Sequence, residues 1–325
     1  MIIVKSPFRL SLFGGSSDYE DFYTKHGSFL IGTTIDKYYY QSIRYRPSIM
    51  PQKSIISSYS TLEEVDDFNK ISNPLIRETF KFYHPPRPIE FNSFSDIPGR
   101  TGLGGSSSYC VGLCYLLHKL LKLPIDKHQL ATDAITIERK ILKESGGIQD
   151  QIWASYGGLN SITINTNGKF FVRPLPVTPE FRKEFQESFL LIYTGEQRQS
   201  ERIAKSHENK DKISILKIAN EAYTAFINED IKHIGELLYE AWKEKKKISI
   251  LVTSSEIDTS IQTIMSTGAY GAKLIGSGGC GFILAICNSH VKQLLSKMFE
   301  GHTLDIKFDY DGVAEIYKPH EKVEI

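Results

Sequence analysis

The spacing of apolar positions changes period several times along the chain, and each change marks an element. Residues 2–5, 10–13, 29–35 and 38–45 carry β-branched and aromatic side chains, with glycine and proline between them. Four short opening strands are therefore expected. Helical spacing takes over at 74–83, and 89–94 returns to a strand pattern. In 109–121 the residues Val111, Leu113, Leu116, Leu117, Leu120 and Leu121 give a helix a broad apolar face, and Pro124 stands just past its end. Asp126 is placed to cap a further helix running to about Lys143, since a short carboxylate can accept from the free N–H groups of a first turn.

After Gly146 and Gly147 the pattern becomes that of a hairpin, with 159–164 and 169–173 flanking the turn Asn165-Thr-Asn-Gly168. Prolines punctuate 174–179, which places a boundary there and divides the chain into domains 1–175 and 176–325. Beyond it the spacing predicts a strand at 189–193 and three helical segments between about 197 and 246. A helix at 254–267, a glycine-rich strand–turn–strand over 273–287, another helix and two short strands follow. Glu244-Lys-Lys-Lys247 reads as a solvated helix end, its lysines favourable near the C-terminal dipole. No internal repeat or low-complexity tract is evident.

Composition narrows the classes. A hydrophobic fraction of 41%, a charged fraction of 24% and a net charge of +1 over 325 residues are ordinary for a globular protein. They leave no electrostatic footprint for nucleic acid, so an anionic ligand must be held by local charges and backbone dipoles. The apolar run at the N-terminus is too short for a signal peptide, and nothing approaches the ~20 apolar residues of a membrane span. Cys110 and Cys114 fall at i, i+4 in an apolar segment, where buried thiols are expected rather than a metal site; Cys280 and Cys287 complete the set without a C-x-x-C pair. The chain reads as cytoplasmic.

Three segments carry candidate chemistry. Pro98-Gly-Arg-Thr-Gly-Leu-Gly-Gly-Ser-Ser-Ser108 lies between a strand and a helix pattern. Its later residues would open that helix, where unpaired N–H groups and the positive dipole end favour phosphate. Gly102, Gly104 and Gly105 allow close backbone approach, and Ser106, Ser107 and Ser108 offer hydroxyls to phosphate or Mg²⁺. No lysine follows the glycines, so this is not a Walker A loop, and a serine-capped glycine connection remains open on these residues alone. Gly276-Ser-Gly-Gly-Cys-Gly281 precedes an apolar strand rather than a helix, which argues against a dinucleotide fingerprint and leaves a tight turn. In Arg9-Leu-Ser-Leu-Phe-Gly-Gly-Ser-Ser-Asp18-Tyr19 a strand runs into a Gly-Gly turn, and Asp18 either caps a following helix or meets a substrate.

Taken together and in order, these segments resemble the three motifs of the GHMP kinase superfamily. The resemblance implies an α+β fold of two domains, a ribosomal-protein-like N-terminal domain and a ferredoxin-like C-terminal domain, with the active site in the cleft between them. Within the superfamily, Phe13-Gly-Gly-x-x-Asp18-Tyr19, Gly146-Gly-Ile-Gln-Asp-Gln151 and Tyr156-Gly-Gly158 resemble the bacterial heptose 7-phosphate kinases, which phosphorylate an anomeric hydroxyl. Gly105 departs from the family pattern where many relatives have a first serine, and Cys280 interrupts the usual glycine run.

The resemblance implies ATP and Mg²⁺ as cofactors and a sugar phosphate as acceptor, and it leaves the oligomeric state undetermined. It gives Gly102, Leu103, Gly104, Gly105, Ser106, Ser107 and Ser108 to the triphosphate. Ser106 and Glu138 would bind the metal; without the resemblance Glu138 reads as a surface helix carboxylate beside a lysine. Asp150 becomes the group that orients the hydroxyl and takes its proton late, as the new bond forms, with a helix N-cap as the alternative. Arg9 would stand beside it, where a full charge 4 Å from an anionic oxygen is worth about 4 kcal/mol at an effective dielectric of 20. Gly14, Gly15, Asp18, Tyr19, Gly278 and Gly279 would face the sugar, and Arg198, with Arg202 nearby, is a candidate for a substrate phosphate. Another sugar such as fucose or galactose, an alcohol such as mevalonate, and a nucleotide-binding protein without turnover are the alternatives. Arg9, Ser106, Glu138 and Asp150 speak against the last.

Overall fold

The structure, a computed structural model, describes residues 1–47, 54–99, 101–195, 200–208 and 210–317. Where four short strands are expected at the start, there are two long ones, Ile2–Phe13 and Ser28–Tyr45, paired antiparallel along most of their length. The expected breaks are irregularities within continuous strands. Pro7 pairs with Tyr38 and Phe8 with Ile35, so Asp36 and Lys37 bulge out where the proline's missing N–H would interrupt the ladder. Phe29–Ile35 and Tyr38–Tyr45 thus lie on one strand, whose first half pairs with Asn160–Ile164 and whose second half pairs with Ile89–Ser95.

This nine-stranded sheet continues through Ile55–Ser58, which runs parallel to Ile89–Ser95 with the helix Pro74–Tyr83 between them. The hairpin read around Asn165 is present, Asn160–Ile164 pairing with Phe170–Pro174. The second sheet has four antiparallel strands in the order Thr303–Leu304, Phe189–Tyr193, Phe282–Ile286, Gly271–Leu274. Past it the chain returns to the first sheet: Phe308–Asp309 pairs with the long strand and Ala314–Tyr317 with Ile2–Phe13.

Helix Gly105–Leu120 is buried along most of its length and carries Cys110 and Cys114 as free, buried thiols. Asp126 caps the next helix, accepting from the backbone N–H of His128 and Gln129. That helix ends at Ile135 and passes into a π-helical turn, Thr136–Ile141, which carries Glu138. Such turns add a residue to the ring and re-aim the side chains on it.

One apolar cluster joins the two sheets. It includes Phe8, Leu10 and Ile31 of the first, Phe189, Leu191 and Leu284 of the second, and Phe181, Phe185 and Phe226 from the helices beside them. Phe185 meets Phe189 and Phe226 edge-on, with centroids 4.7 and 5.1 Å apart, a favoured geometry for aromatic pairs. The two halves therefore hold a fixed relation, and the cleft between them has a rigid floor. Truncating Phe185 to alanine should cost about 3–5 kcal/mol of stability. Urea denaturation reads this directly, and a loss under about 1 kcal/mol would mean Phe185 is not central to that cluster.

Candidate active site

Arg9 lies on the long strand Ile2–Phe13, only 6% exposed, and all three nitrogens of its guanidinium are hydrogen-bonded. Nε donates to Asp150 Oδ1 at 2.7 Å, Nη2 to Asp150 Oδ2 at 2.6 Å, and Nη1 to the Gly102 carbonyl at 2.6 Å. Its backbone N–H donates to the Leu103 carbonyl at 3.0 Å. One strand residue thus ties the glycine loop to the helix Gln149–Tyr156, in whose first turn Asp150 sits. The two-pronged contact fixes the plane of the carboxylate as well as its position.

In the glycine loop, Gly102 and Gly104 adopt left-handed φ values of 80° and 73°, which a side chain would strain. A Cβ on Gly104 would also stand 2.9 Å from Arg9 Cγ. The helix begins at Gly105, leaving its first-turn N–H groups without intrahelical partners, as phosphate binding requires. Ser106 and Ser107 donate to Glu138 Oε1 and Oε2 at 2.9 and 2.7 Å, and Gln151 donates to Oε2 at 2.5 Å. Glu138 is fully buried, so it is no surface carboxylate. Ser108 behaves differently. Its hydroxyl donates to the Ser6 carbonyl at 2.9 Å while Ser6 Oγ donates back to the Ser108 carbonyl at 2.7 Å, a staple between helix and strand. Leu103 is a core residue that offers only its backbone.

Asp18 does not cap the helix Glu20–His26, which has no side-chain cap. Its buried carboxylate accepts from the backbone N–H of Ser16 and Gln149 and from Gln149 Nε2, at 3.1, 3.0 and 3.0 Å. Burial raises its pKa and the Gln149 N–H opposes this. Any Cβ on Gly147 would collide with this carboxylate at 1.8 Å, so the Gly-Gly turn exists to admit Asp18. Gly15, Asp18 and Tyr19 all line one cavity of about 550 Å³, together with Arg9, Ser106, Glu138 and Asp150. Gly14 lies behind that wall, where a Cβ would be 2.1 Å from the Phe29 carbonyl.

The third glycine segment requires a correction. Gly278 and Gly279, expected to face substrate, are absent from the cavity lining and pack against Val252 and Ile203; a Cβ on either would clash at 2.7 and 2.3 Å. Gly276 and Ser277 line the cavity instead. A Cβ on Gly276 would meet Gly102 Cα at 2.5 Å, and one on Gly281 would meet the Thr101 carbonyl at 2.2 Å. This turn is therefore a backbone buttress for the glycine loop. Arg198 lies outside the described residues, as does the side chain of Arg202.

Several wall residues escaped the sequence reading. Lys245, assigned to a solvated helix end, is 6% exposed and its ammonium donates to the Gly276 carbonyl. It continues the buried stripe Leu238, Ala241, Trp242 at helical spacing, which was the available signal. Lys243 and Lys247 do face solvent. Lys273, inside the wholly buried strand Gly271–Leu274, donates to the carbonyls of Leu12 and Ser11 at 2.6 and 3.3 Å. His207 is fully buried, its Nδ1 2.9 Å from Ser16 Oγ, and burial together with the Lys245 and Lys212 charges pushes its pKa down to about 3. It is neutral at physiological pH. Arg139 donates to the carbonyls of Gly147 and Glu144 at 2.9 and 3.2 Å and holds the turn before Asp150.

A phosphate-binding helix start, a buried glutamate on two serines and an Arg–Asp pair over one cleft are the parts a phosphoryl transferase needs. Residues 70–158 match the family description "GHMP kinases N terminal domain" and residues 222–302 match "GHMP kinases C terminal". The chain belongs to the GHMP kinase family.

As a GHMP kinase it is 27% identical to the D-glycero-alpha-D-manno-heptose 7-phosphate kinase of Campylobacter jejuni, over 96% of this chain and 98% of that protein. It is 24% identical to the galactokinase of Pyrococcus furiosus over 100% and 99% of the two chains. Its fold matches the crystal structure of a D-glycero-D-manno-heptose 1-phosphate kinase from Bacteroides thetaiotaomicron with a TM-score of 0.81, covering 99% of this chain and 100% of that one at 24% identity. The chain is thus an ATP-dependent phosphotransferase acting on a sugar. Among the described residues no helix is long and apolar enough to cross a membrane.

The three serines of the loop should separate by role. Ser106→Ala should raise the KM for Mg·ATP, measured by coupled ADP release, with little change in melting temperature. Ser108→Ala should cost about 1–3 kcal/mol of stability, from the buried carbonyl it leaves unpaired, and leave that KM nearly unchanged. The reverse pattern would exchange the assignments.

Proposed function

We propose that this kinase transfers the γ-phosphoryl group of ATP to the anomeric hydroxyl of a heptose 7-phosphate, giving the 1,7-bisphosphate. The observation that carries the reading is the Arg9–Asp150 pair, held against the glycine loop that opens helix Gly105–Leu120 and lining the same cavity. The likeness to a heptose 7-phosphate kinase along nearly the whole of both chains supports the choice of acceptor.

Each Asp150 oxygen spends one acceptor position on Arg9 and keeps another for the sugar hydroxyl. A carboxylate so paired is fixed in plane and position. It orients the hydroxyl and takes the proton as the oxygen–phosphorus bond forms and the hydroxyl becomes acidic. Arg9 keeps the carboxylate from rotating and places positive charge beside the attacking oxygen. The N–H groups opening the helix at Gly105 receive the phosphate chain.

Ser106 and Glu138 suit Mg²⁺, being hard oxygen donors side by side at the cavity wall, and a cation there would neutralise triphosphate charge. In the structure the serine hydroxyls and Gln151 hold the Glu138 carboxylate, fixing the oxygens that would face the ion. Asp18 and Gln149 form the polar wall around the sugar, with Tyr19 beside them.

ADP release over a panel of hexoses, heptoses and their phosphates tests the acceptor. Turnover on heptose 7-phosphate with kcat/KM far above galactose and fucose is expected; turnover confined to an unphosphorylated sugar would overturn the assignment. Asp150→Asn should lower kcat by about 10²–10⁴-fold while ATP affinity stays within a few-fold. A variant with near-normal kcat would remove Asp150 from proton transfer.

A further inference from the structure

The cavity is lined by four cationic and four carboxylate side chains, and their partners are unequally distributed. Asp150 faces Arg9, Glu144 lies 3.9 Å from Arg139, Asp18 is held by N–H donors, and Glu138 by hydroxyls and an amide. Lys245 and Lys273 are the exceptions. Both are buried, at 6% and 5% exposure. Among the described residues, neither ammonium has a carboxylate within ion-pair distance. Lys245 donates to the Gly276 carbonyl, and Lys273 to those of Leu12 and Ser11. Each ammonium has three N–H donors, so donor capacity remains on both.

Buried charge without a counter-ion is unfavourable unless a ligand supplies one. Nearby charges sharpen the demand. Burial and then the Arg9 charge press Lys245 down to about 7, against the pull of Asp150 and Asp18. Lys273 is lowered by burial and by Lys245 and Arg9. His207, also on this wall, is neutral and adds no counter-charge.

We propose that Lys245 and Lys273 form a phosphoryl-binding subsite, a second anion site supplied by the C-terminal half and facing the glycine loop. Position supports this. Lys245 reaches the cavity through the carbonyl of Gly276, whose backbone abuts Gly102, while Lys273 is anchored on the strand that carries Arg9. Two ammonium groups with free donors suit a tetrahedral dianion better than a sugar hydroxyl. The occupant is either the acceptor's own phosphate or the terminal phosphoryl of ATP. The first case rests on the proposed heptose phosphate acceptor; the second does not.

Lys245→Met and Lys273→Met, with Lys245→Arg as a charge-retaining control, separate these cases. Melting temperatures establish that each variant is folded. Calorimetric titration of inorganic phosphate into the Mg·ADP complex is the primary readout and needs no knowledge of the sugar. The wild type and Lys245→Arg should bind phosphate, and each methionine variant should bind it at least about 30-fold more weakly, as for a buried charge pair broken on one side. If the acceptor phosphate is the occupant, the KM for the sugar phosphate rises by a similar factor while unphosphorylated sugar and ATP are unaffected. If the terminal phosphoryl is the occupant, affinity for a non-hydrolysable ATP analogue falls and affinity for ADP does not. Absence of phosphate binding by the wild-type complex overturns the proposal. So does unchanged phosphate binding in folded Lys245→Met and Lys273→Met, which would leave both lysines as carbonyl anchors.

Discussion

The guanidinium of Arg9 is the joint on which the site depends. Through it the central strand, the glycine loop and the helix bearing Asp150 share one set of hydrogen bonds. The pair is mostly out of water, with side-chain exposures of 7% and 22%. Removing one partner from such a pair costs about 3–5 kcal/mol where burial is complete, and less toward the partly open Asp150 side. The same contact sets catalytic geometry, because the carboxylate plane is fixed only when both prongs are made. Lysine could supply the charge but not the fork.

A second constraint acts through glycines at which two backbones meet. Gly102 against Gly276, and Thr101 against Gly281, bring two loops to backbone contact distance across the seam between the sheets. No side chain larger than hydrogen fits, so these positions specify how closely the halves approach. The apolar cluster around Phe185 supplies the attraction, and the glycine contacts set where it stops. The glycine loop is held from the far side by a turn belonging to the other half. Pre-organisation of this kind lets backbone N–H groups act without first being ordered.

Much of this was legible in the chain. The glycine loop took its meaning from the other two motifs in order with it, whereas the hairpin at Asn165 and the cap at Asp126 follow from local chemistry alone. What escaped depends on long-range packing. Whether a glycine faces a ligand or a neighbouring backbone is not written locally, so Gly278 and Gly279 were placed in the site when Gly276 and Ser277 line it. Lys245 was hidden by its neighbours: in a run of charges the eye reads solvent, yet helical phase puts this one lysine on the buried stripe with Trp242. The two long strands looked like four because a bulge and a proline interrupt the spacing without ending the pairing.

The distribution of protons and partners gives the cleft its direction. Its carboxylates are satisfied before any substrate arrives: Glu138 by hydroxyls, Asp18 by amides, Asp150 by Arg9. Among the described residues, its buried lysines are held by carbonyl dipoles alone. Hydrogen bonds orient these carboxylates as acceptors, which suits a sugar's hydroxyls, and burial raises the pKa of Asp18 among them. An ammonium held by dipoles alone is stabilised further by any anion that arrives. In the proposed subsite each phosphate that enters would offset part of the desolvation that the fold imposed on the lysines, whereas a neutral sugar would offset none. The interior charge of this chain is thus matched to a loaded cleft rather than an empty one, and binding completes an electrostatic arrangement that folding leaves open.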